Sequence, residues 1–343
     1  MEIQKLIKNY IKIGVVKNTP PRKYVHIALC ADRNVIRPLG VTIFSILKNI
    51  KQPCMFHIFF NGMLPTKEQD KFYDLAGIYN TSIIFYSVDN TYFSQFHSTK
   101  AITVTTYYRL IIPYYFETIG IDTFLYVDTD ILCLQDISTL FTEDLKDKIA
   151  YVVKNSKYVQ AEQIRYRTSI GINQDEYFNA GVLLVRTIPY VRNDIGQKAI
   201  QLATTKAYHD MDQDILNILL RGKVIFDSEY FYNFTMQIHD DEWKPDWKDK
   251  VKLIHFTSDK KPWNLYTSNW GENKNAIQDT LHSWKYPYFK LWRQYASESP
   301  WKDVPLDMPK NYKEWRYLSS MYWQNGKFMK AAKAYFHYLK LKI

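Results

Sequence analysis

Residues 123–133 read TFLYVDTDILC. The run from Thr123 to Val127 is β-branched, aromatic and apolar, and it enters Asp128-Thr129-Asp130 without an intervening turn residue. A short apolar run bounded by a polar break has the pattern of a buried strand. Carboxylates at i and i+2 leaving such a strand can both point into the crevice at its carboxyl end. Hard oxygen donors of that kind suit Mg²⁺ or Mn²⁺. The pair alone also fits a solvated turn. Asp210-Met211-Asp212-Gln213-Asp214 shows the same spacing, so the surrounding sequence must decide.

Upstream, YVHIALC (24–30), CMFHIFF (54–60) and SIIFYS (82–87) read as strands, and LGVTIFSILKN (39–49) reads as the helix after the first of them. Thr66 and Gln69 have capping-box spacing at the start of TKEQDKFYDLAGIY. Downstream, FNAGVLLVR (178–186), KVIFD (223–227) and KLIHF (252–256) read as strands, and DQDILNILL (212–220) opens a helix. From about residue 285 the pattern is helical and aromatic, with Gln324-Asn325-Gly326 punctuating an antiparallel hairpin. Strands alternating with helices predict an α/β fold, a mostly parallel mixed sheet covered on both faces. The expected organisation is a basic N-terminal extension (1–23), one catalytic domain (24–284) and a helical, basic aromatic C-terminal region (285–343).

The 343 residues suffice for a large core, and 46% apolar with 23% charged residues excludes a disordered or collagenous chain. The net charge of +10 lies at the ends. Residues 1–20 hold four Lys against one Glu, and residues 310–343 hold eight Lys or Arg against Glu314. A neutral middle argues against a nucleic-acid groove. Cys30, Cys54 and Cys133 lie in or beside apolar runs without metal or redox spacing, as buried free thiols of a reducing compartment would. No signal-peptide pattern is present, and a cytoplasmic location is expected. The tail YWQNGKFMKAAKAYFHYLKLKI reads both as a basic amphipathic surface for an anionic membrane, on the inner face of the cell membrane, and as a helical subdomain packed on the main one.

The context of the carboxylates is specific. CADRNVIRPLGVTIFSIL (30–47), TTYYRL (105–110), FLYVDTDIL (124–132), YFNAGVLLV (177–185), DQDILN (212–217) and IHFTSDKKPW (254–263) follow in order. In order and wording they resemble glycosyltransferase family 8, the family of glycogenin and bacterial lipopolysaccharide galactosyl- and glucosyltransferases. ESPWKD (298–303) before a basic tail resembles its lipopolysaccharide-core branch.

The resemblance implies a GT-A-type nucleotide-sugar domain and a retaining hexosyltransferase. The donor would be UDP-galactose or UDP-glucose, and the acceptor a glycan or glycolipid of lipopolysaccharide-core type. By position, it assigns the uracil to Cys30 (through its backbone), Asp32 and Asn34. Thr106, Arg109 and Ser258 would contact the donor, Asp128, Asp130 and His255 would hold Mn²⁺ or Mg²⁺, and Lys261 would meet the diphosphate. Asn155, Asn179, Asp212 and Gln213 would line the sugar, with Asp212 doubling as a helix N-cap. Gln213 would steady positive charge during front-face transfer. The chain departs from the pattern at Arg33, where a second carboxylate is common, at Ser258, where glycine is common, and at Asn155, where Asp is common. The alternatives are the same chemistry on a protein-linked or capsular glycan, and an inactive sugar-binding module. A dinucleotide oxidoreductase is disfavoured, because no G-x-G-x-x-G follows the first strand.

Overall fold

The protein is described here from a computed structural model covering residues 3–14, 24–99, 103–156, 160–227, 229–238, 242–268 and 285–342. The expected boundaries near residues 23 and 284 fall outside these residues.

Eleven strands are described: β1 (Ile7–Ile13), β2 (Val25–Ala31), β3 (Cys54–Asn61), β4 (Ser82–Val88), β5 (Thr123–Val127), β6 (Ile131–Cys133), β7 (Ala150–Lys154), β8 (Phe178–Arg186), β9 (Val224–Asp227), β10 (Phe234–Thr235) and β11 (Leu253–His255). The main sheet runs β1-β4-β3-β2-β5-β8-β7-β9, and β10-β11-β6 form a second, three-stranded sheet. The β4-β3-β2-β5 block is parallel. β8 runs antiparallel to both β5 and β7, so the sheet is mixed where its direction changes. The segment expected as an N-terminal extension supplies β1, antiparallel on the edge of β4 with Ile13 opposite Ile83. Its exposed Lys8 and Lys12 put charge on the rim of the sheet, which protects an open edge.

Alternate residues of β2 divide the core. Ile27, Leu29 and Ala31 face the layer of α1 (Ile36–Asn49) and α2 (Thr66–Tyr79), while Ala28 and Cys30 face the layer of Tyr107 and Tyr108. All three cysteines are buried and free. Thr66 does not cap α2. Pro65 holds the cap position and its carbonyl accepts from Glu68 and Gln69, while Gln69 Nε2 donates to Leu64 O at 3.0 Å.

Helices α3 (Ile112–Thr118), α4 (Ala161–Ser169), α5 (Thr187–Arg192), α6 (Ile195–Thr205) and α7 (Asp212–Leu219) belong to the α/β unit, and the C-terminal helices α8 (Lys285–Glu298), α9 (Tyr312–Gln324) and α10 (Phe328–Lys342) pack onto it. Trp301 covers Gly40 of α1 so closely that a Cβ there would lie 2.3 Å from its ring, and its Nε1 donates to Glu68 at 2.8 Å. Leu318 and Met321 of α9 and Ala334 of α10 join the main core.

Candidate active site

The ladders bring the carboxyl pair to its partners. Val127 of β5 lies opposite Val182 of β8, and the next amide, Asp128 N, donates to Gly181 O at 2.9 Å. Three residues on, the chain enters β6, where Ile131 pairs with His255, and Phe256 N donates to Asp130 O at 3.0 Å. His255 Nε2 thus lies 3.1 Å from Asp130 Oδ1 and 3.7 Å from Asp128 Oδ2. One ligand atom from each of Asp128, Asp130 and His255 falls within a 4.8 Å cluster. Gly181 backs this cluster: a Cβ there would meet His255 Cε1 at 2.2 Å and Asp128 Oδ2 at 2.8 Å.

Lys261 reaches the cluster from the loop after β11. Its Nζ donates to Asp130 Oδ2 at 2.7 Å and to Phe256 O. Its backbone is held by Asn264 Oδ1, which accepts from Lys261 N, and by Thr267 Oγ1, which donates to Lys261 O. Burial opposes ionisation of Asp130, but Lys261 and His255 outweigh it and hold that carboxyl well below the usual range.

Arg109 occupies a buried position between Asp128 and Asp212. Its guanidinium donates to Asp128 Oδ1 at 3.0 Å, Ala180 O at 2.6 Å, Thr106 O at 3.1 Å and Thr106 Oγ1 at 2.9 Å. Asp212 Oδ2 lies 2.9 Å from Arg109 Nε. That N–H is directed at Thr106 O, so the Asp212 contact is a charge pairing without a directed hydrogen bond. Burial works against the Arg109 charge, yet the Asp128 and Asp212 carboxylates raise its pKa. Arg109 therefore braces the carboxylates of the site, with most of its donors committed to protein oxygens.

Asp212 is the first residue of α7 (Asp212–Leu219), and Met211 takes the N-cap position with φ 52° and ψ −123°. That backbone conformation is strained for any residue with a Cβ, and the buried Met211 side chain anchors it. Asp212 is thus not the expected N-cap. Its Oδ1 accepts from Thr106 Oγ1 at 2.6 Å. Burial pushes its pKa up to about 6, against the pull of Arg109 and Thr106.

Gln213 Oε1 accepts from Ala180 N and Asn179 Nδ2, both at 3.0 Å, and its Nε2 donates to Tyr177 OH at 3.0 Å. Asp32, after β2, accepts from Asn34 N at 2.8 Å and Thr103 Oγ1 at 3.1 Å. Cys30 is buried beside it, and Asn34 is exposed. Ser258 Oγ donates to Lys260 O at 2.9 Å. Asn155 Oδ1 is buried and no described donor reaches it. Sequence reasoning did not single out Tyr126, whose OH donates to Asp128 Oδ1 at 2.7 Å, or Asn233, which bonds to His255 and Asn179. Gly181 carried a readable signal, because glycine inside a buried strand marks a close approach.

Residues 26–267 match the family described as Glycosyl transferase family 8. The chain belongs to that family. Residues 286–342 match its C-terminal part, Glycosyl transferase family 8 C-terminal. Among family relatives, the lipopolysaccharide glucosyltransferase WaaO of Escherichia coli K12 is 29% identical over 92% of this chain and 91% of its own length. The lipopolysaccharide 1,3-galactosyltransferase of Salmonella typhimurium LT2 is 27% identical over 99% and 97%. The galactosyltransferase LgtC, solved in complex with donor and acceptor sugar analogs, superimposes with a TM-score of 0.63 at 25% identity, over 80% of this chain and 96% of LgtC. The family-8 chain therefore has the GT-A-type α/β fold and is similar over nearly its whole length to sugar-transferring enzymes of lipopolysaccharide synthesis.

Two carboxylates and an imidazole form a donor set that fits Mg²⁺ or Mn²⁺. The charge balance agrees. Among the described residues, Asp128, Asp130 and Asp212 are paired with two Lys or Arg side chains, Arg109 and Lys261, before any diphosphate arrives.

Proposed function

We propose that the protein is a metal-dependent, retaining hexosyltransferase that moves galactose or glucose from a UDP-sugar to a lipopolysaccharide-core-type glycan. The observation that carries the reading is the convergence of Asp128, Asp130, His255 and Lys261 at the carboxyl end of β5. A divalent cation held by the first three would bind the donor diphosphate and offset the charge developing on UDP. Lys261 adds a point charge to the same leaving group. Asp32 and Asn34 sit at the end of β2, where the uracil and ribose would lie, with the Cys30 backbone alongside. Asn155 Oδ1, which no described donor reaches, and the side chains of Asn179 and Asp212 would orient the sugar hydroxyls.

Front-face transfer is favoured by how the sugar-side groups are held. Asp212 is pinned between Thr106 and Arg109, and Gln213 Oε1 already accepts two N–H donors. Gln213 thus has no free oxygen to offer, and Asp212 Oδ2, which accepts no hydrogen bond, is buried against the Arg109 guanidinium, whose charge lowers its reactivity as a nucleophile. With no general base placed by these residues, the departing phosphate would take the acceptor proton.

The α9–α10 hairpin would bring the enzyme to an anionic membrane. It both packs on the domain and exposes Trp323, Phe328, Met329 and Phe336 beside Lys327, Lys330 and Lys333. No described helix is long and apolar enough to cross a membrane.

UDP release from a panel of UDP-hexoses, with Mn²⁺ and with excess chelator, tests the reading. Release should occur with UDP-galactose or UDP-glucose and stop under chelation, and NMR of the first-formed glycoside should show an α-linkage from the α-linked donor. Full turnover in chelator refutes the metal assignment, and a β-linked product refutes retention.

A further inference from the structure

Whether the His255 Nε2 that faces Asp128 and Asp130 carries a proton or a lone pair is decided by amide groups behind the ring. Backbone amides set the assignment, because an N–H can only donate. Gly181 N donates to Asn179 Oδ1 at 3.0 Å, so that atom is the carbonyl oxygen of Asn179. Asn179 Nδ2 then faces Gln213 Oε1 at 3.0 Å, and Ala180 N donating to the same Oε1 gives the same orientation independently. Asn233 meets Asn179 Oδ1 at 2.9 Å and must present its NH₂ there. Its oxygen is thereby turned to His255 Nδ1 at 2.9 Å. An amide oxygen has no proton to give, so Nδ1 carries the hydrogen, and in the neutral ring, the form that can ligate a metal, Nε2 keeps the lone pair.

We propose that Asn233 is a positioning residue that fixes His255 as the Nδ1–H tautomer, so that Nε2 is presented as a metal ligand. This rests on the metal reading above. Asn233 is buried, and its backbone N–H donates to Tyr230 O at 2.9 Å, leaving the side chain to do this work. Without it, a neutral imidazole could lower its energy by placing the hydrogen on Nε2, toward Asp130 Oδ1 at 3.1 Å, and the ligand lone pair would then point away from the cluster. The same chain ends at Gln213 and Tyr177, so one relay of side-chain amides links the metal side of the site to the sugar side.

The test uses the full chain labelled with ¹⁵N-histidine and no added metal, with His255 assigned by the loss of its signals in His255→Gln. Long-range ¹H–¹⁵N spectra, recorded at a pH high enough that the ring is neutral, should show the Nδ1–H form in the wild type. Asn233→Leu should lose that preference and weaken Mn²⁺ binding, read by electron paramagnetic resonance of free Mn²⁺, by about 10- to 100-fold. Asn233→Asp keeps an acceptor for Nδ1–H while giving up the bond to Asn179. It should retain the tautomer and bind Mn²⁺ within a few-fold of wild type. An Nε2–H form in the wild type overturns the proposal whatever the variants do. So does unchanged Mn²⁺ affinity in Asn233→Leu, or loss of affinity in Asn233→Asp equal to that in Asn233→Leu. If the wild type binds no Mn²⁺, the metal reading itself fails, and the spectrum still reports the tautomer.

Discussion

Gly181→Ala adds one methyl group at the back of the proposed metal cluster. Its Cβ would stand 2.2 Å from His255 Cε1, 2.7 Å from His255 Nδ1 and 2.8 Å from Asp128 Oδ2. Carbon atoms settle at roughly 3.5–4.0 Å, so the ring must retreat by more than about 1 Å. Nothing behind it yields easily, since Nδ1 is bonded to Asn233 and the ring lies in a close-packed strand pairing. Metal sites tolerate ligand errors of about 0.2 Å, and a misplacement of about 1 Å can lower a rate by about 100-fold. The substitution should therefore weaken Mn²⁺ binding at least tenfold and lower kcat/KM by about 100-fold, with overpacking destabilising the fold by about 1–3 kcal/mol. Mn²⁺ titration, UDP-release kinetics and thermal melting measure the three effects. Gly77→Ala is the control, because it lies within α2 with open space at its Cβ and should be neutral or slightly stabilising. A Gly181→Ala protein with wild-type Mn²⁺ affinity and turnover would refute the idea that this glycine exists to admit the His255–Asp128 cluster.

Asp212 should set an acidic limb near pH 6 in kcat/KM, because its carboxylate must be ionised to pair with Arg109. Thr106→Val removes a hydroxyl that bonds that carboxylate, and should move the limb to higher pH; an unmoved limb assigns it to another group. A raised carboxyl pKa favours the folded state most below the unfolded value, about 3.9, and this contribution is lost as pH rises through about 6. Melting of Asp212→Asn across that range should lack this slope. Replacing Lys327, Lys330 and Lys333 by Gln should reduce binding to phosphatidylserine vesicles by roughly 100-fold at low salt, at about 1 kcal/mol per lysine, without changing UDP-sugar turnover in solution. Equal vesicle binding by wild type and variant would remove the membrane role. Substitution is the better test than deleting residues 310–343, because deletion would strip Leu318 and Met321 from the core.

The sequence by itself determined the elements whose pattern is local. The apolar run Thr123–Val127 is a strand because its side chains want burial on both faces, and Asp128 and Asp130 leave its end because the chain turns polar there. The ordered blocks identified the family, and they named every member of the Asp128, Asp130, His255 and Lys261 cluster. Other features depend on groups far apart in the chain. β1 was hidden because its Ile-Lys alternation gains a meaning only when β4 offers an edge. The capping box at Thr66 failed because Pro65 supplied the cap with its backbone carbonyl. Arg109, assigned to the donor from its block, also donates to Asp128, Ala180 and Thr106, since a buried guanidinium needs paired oxygens wherever the fold brings them. Asn233 lies in the stretch Phe231-Tyr232-Asn233-Phe234, which has no feature of chemistry, and it acquires a role only because β10 sets it behind His255. Which amide faces which atom is a matter of register between strands, and register is decided by tertiary packing that no local stretch of residues contains.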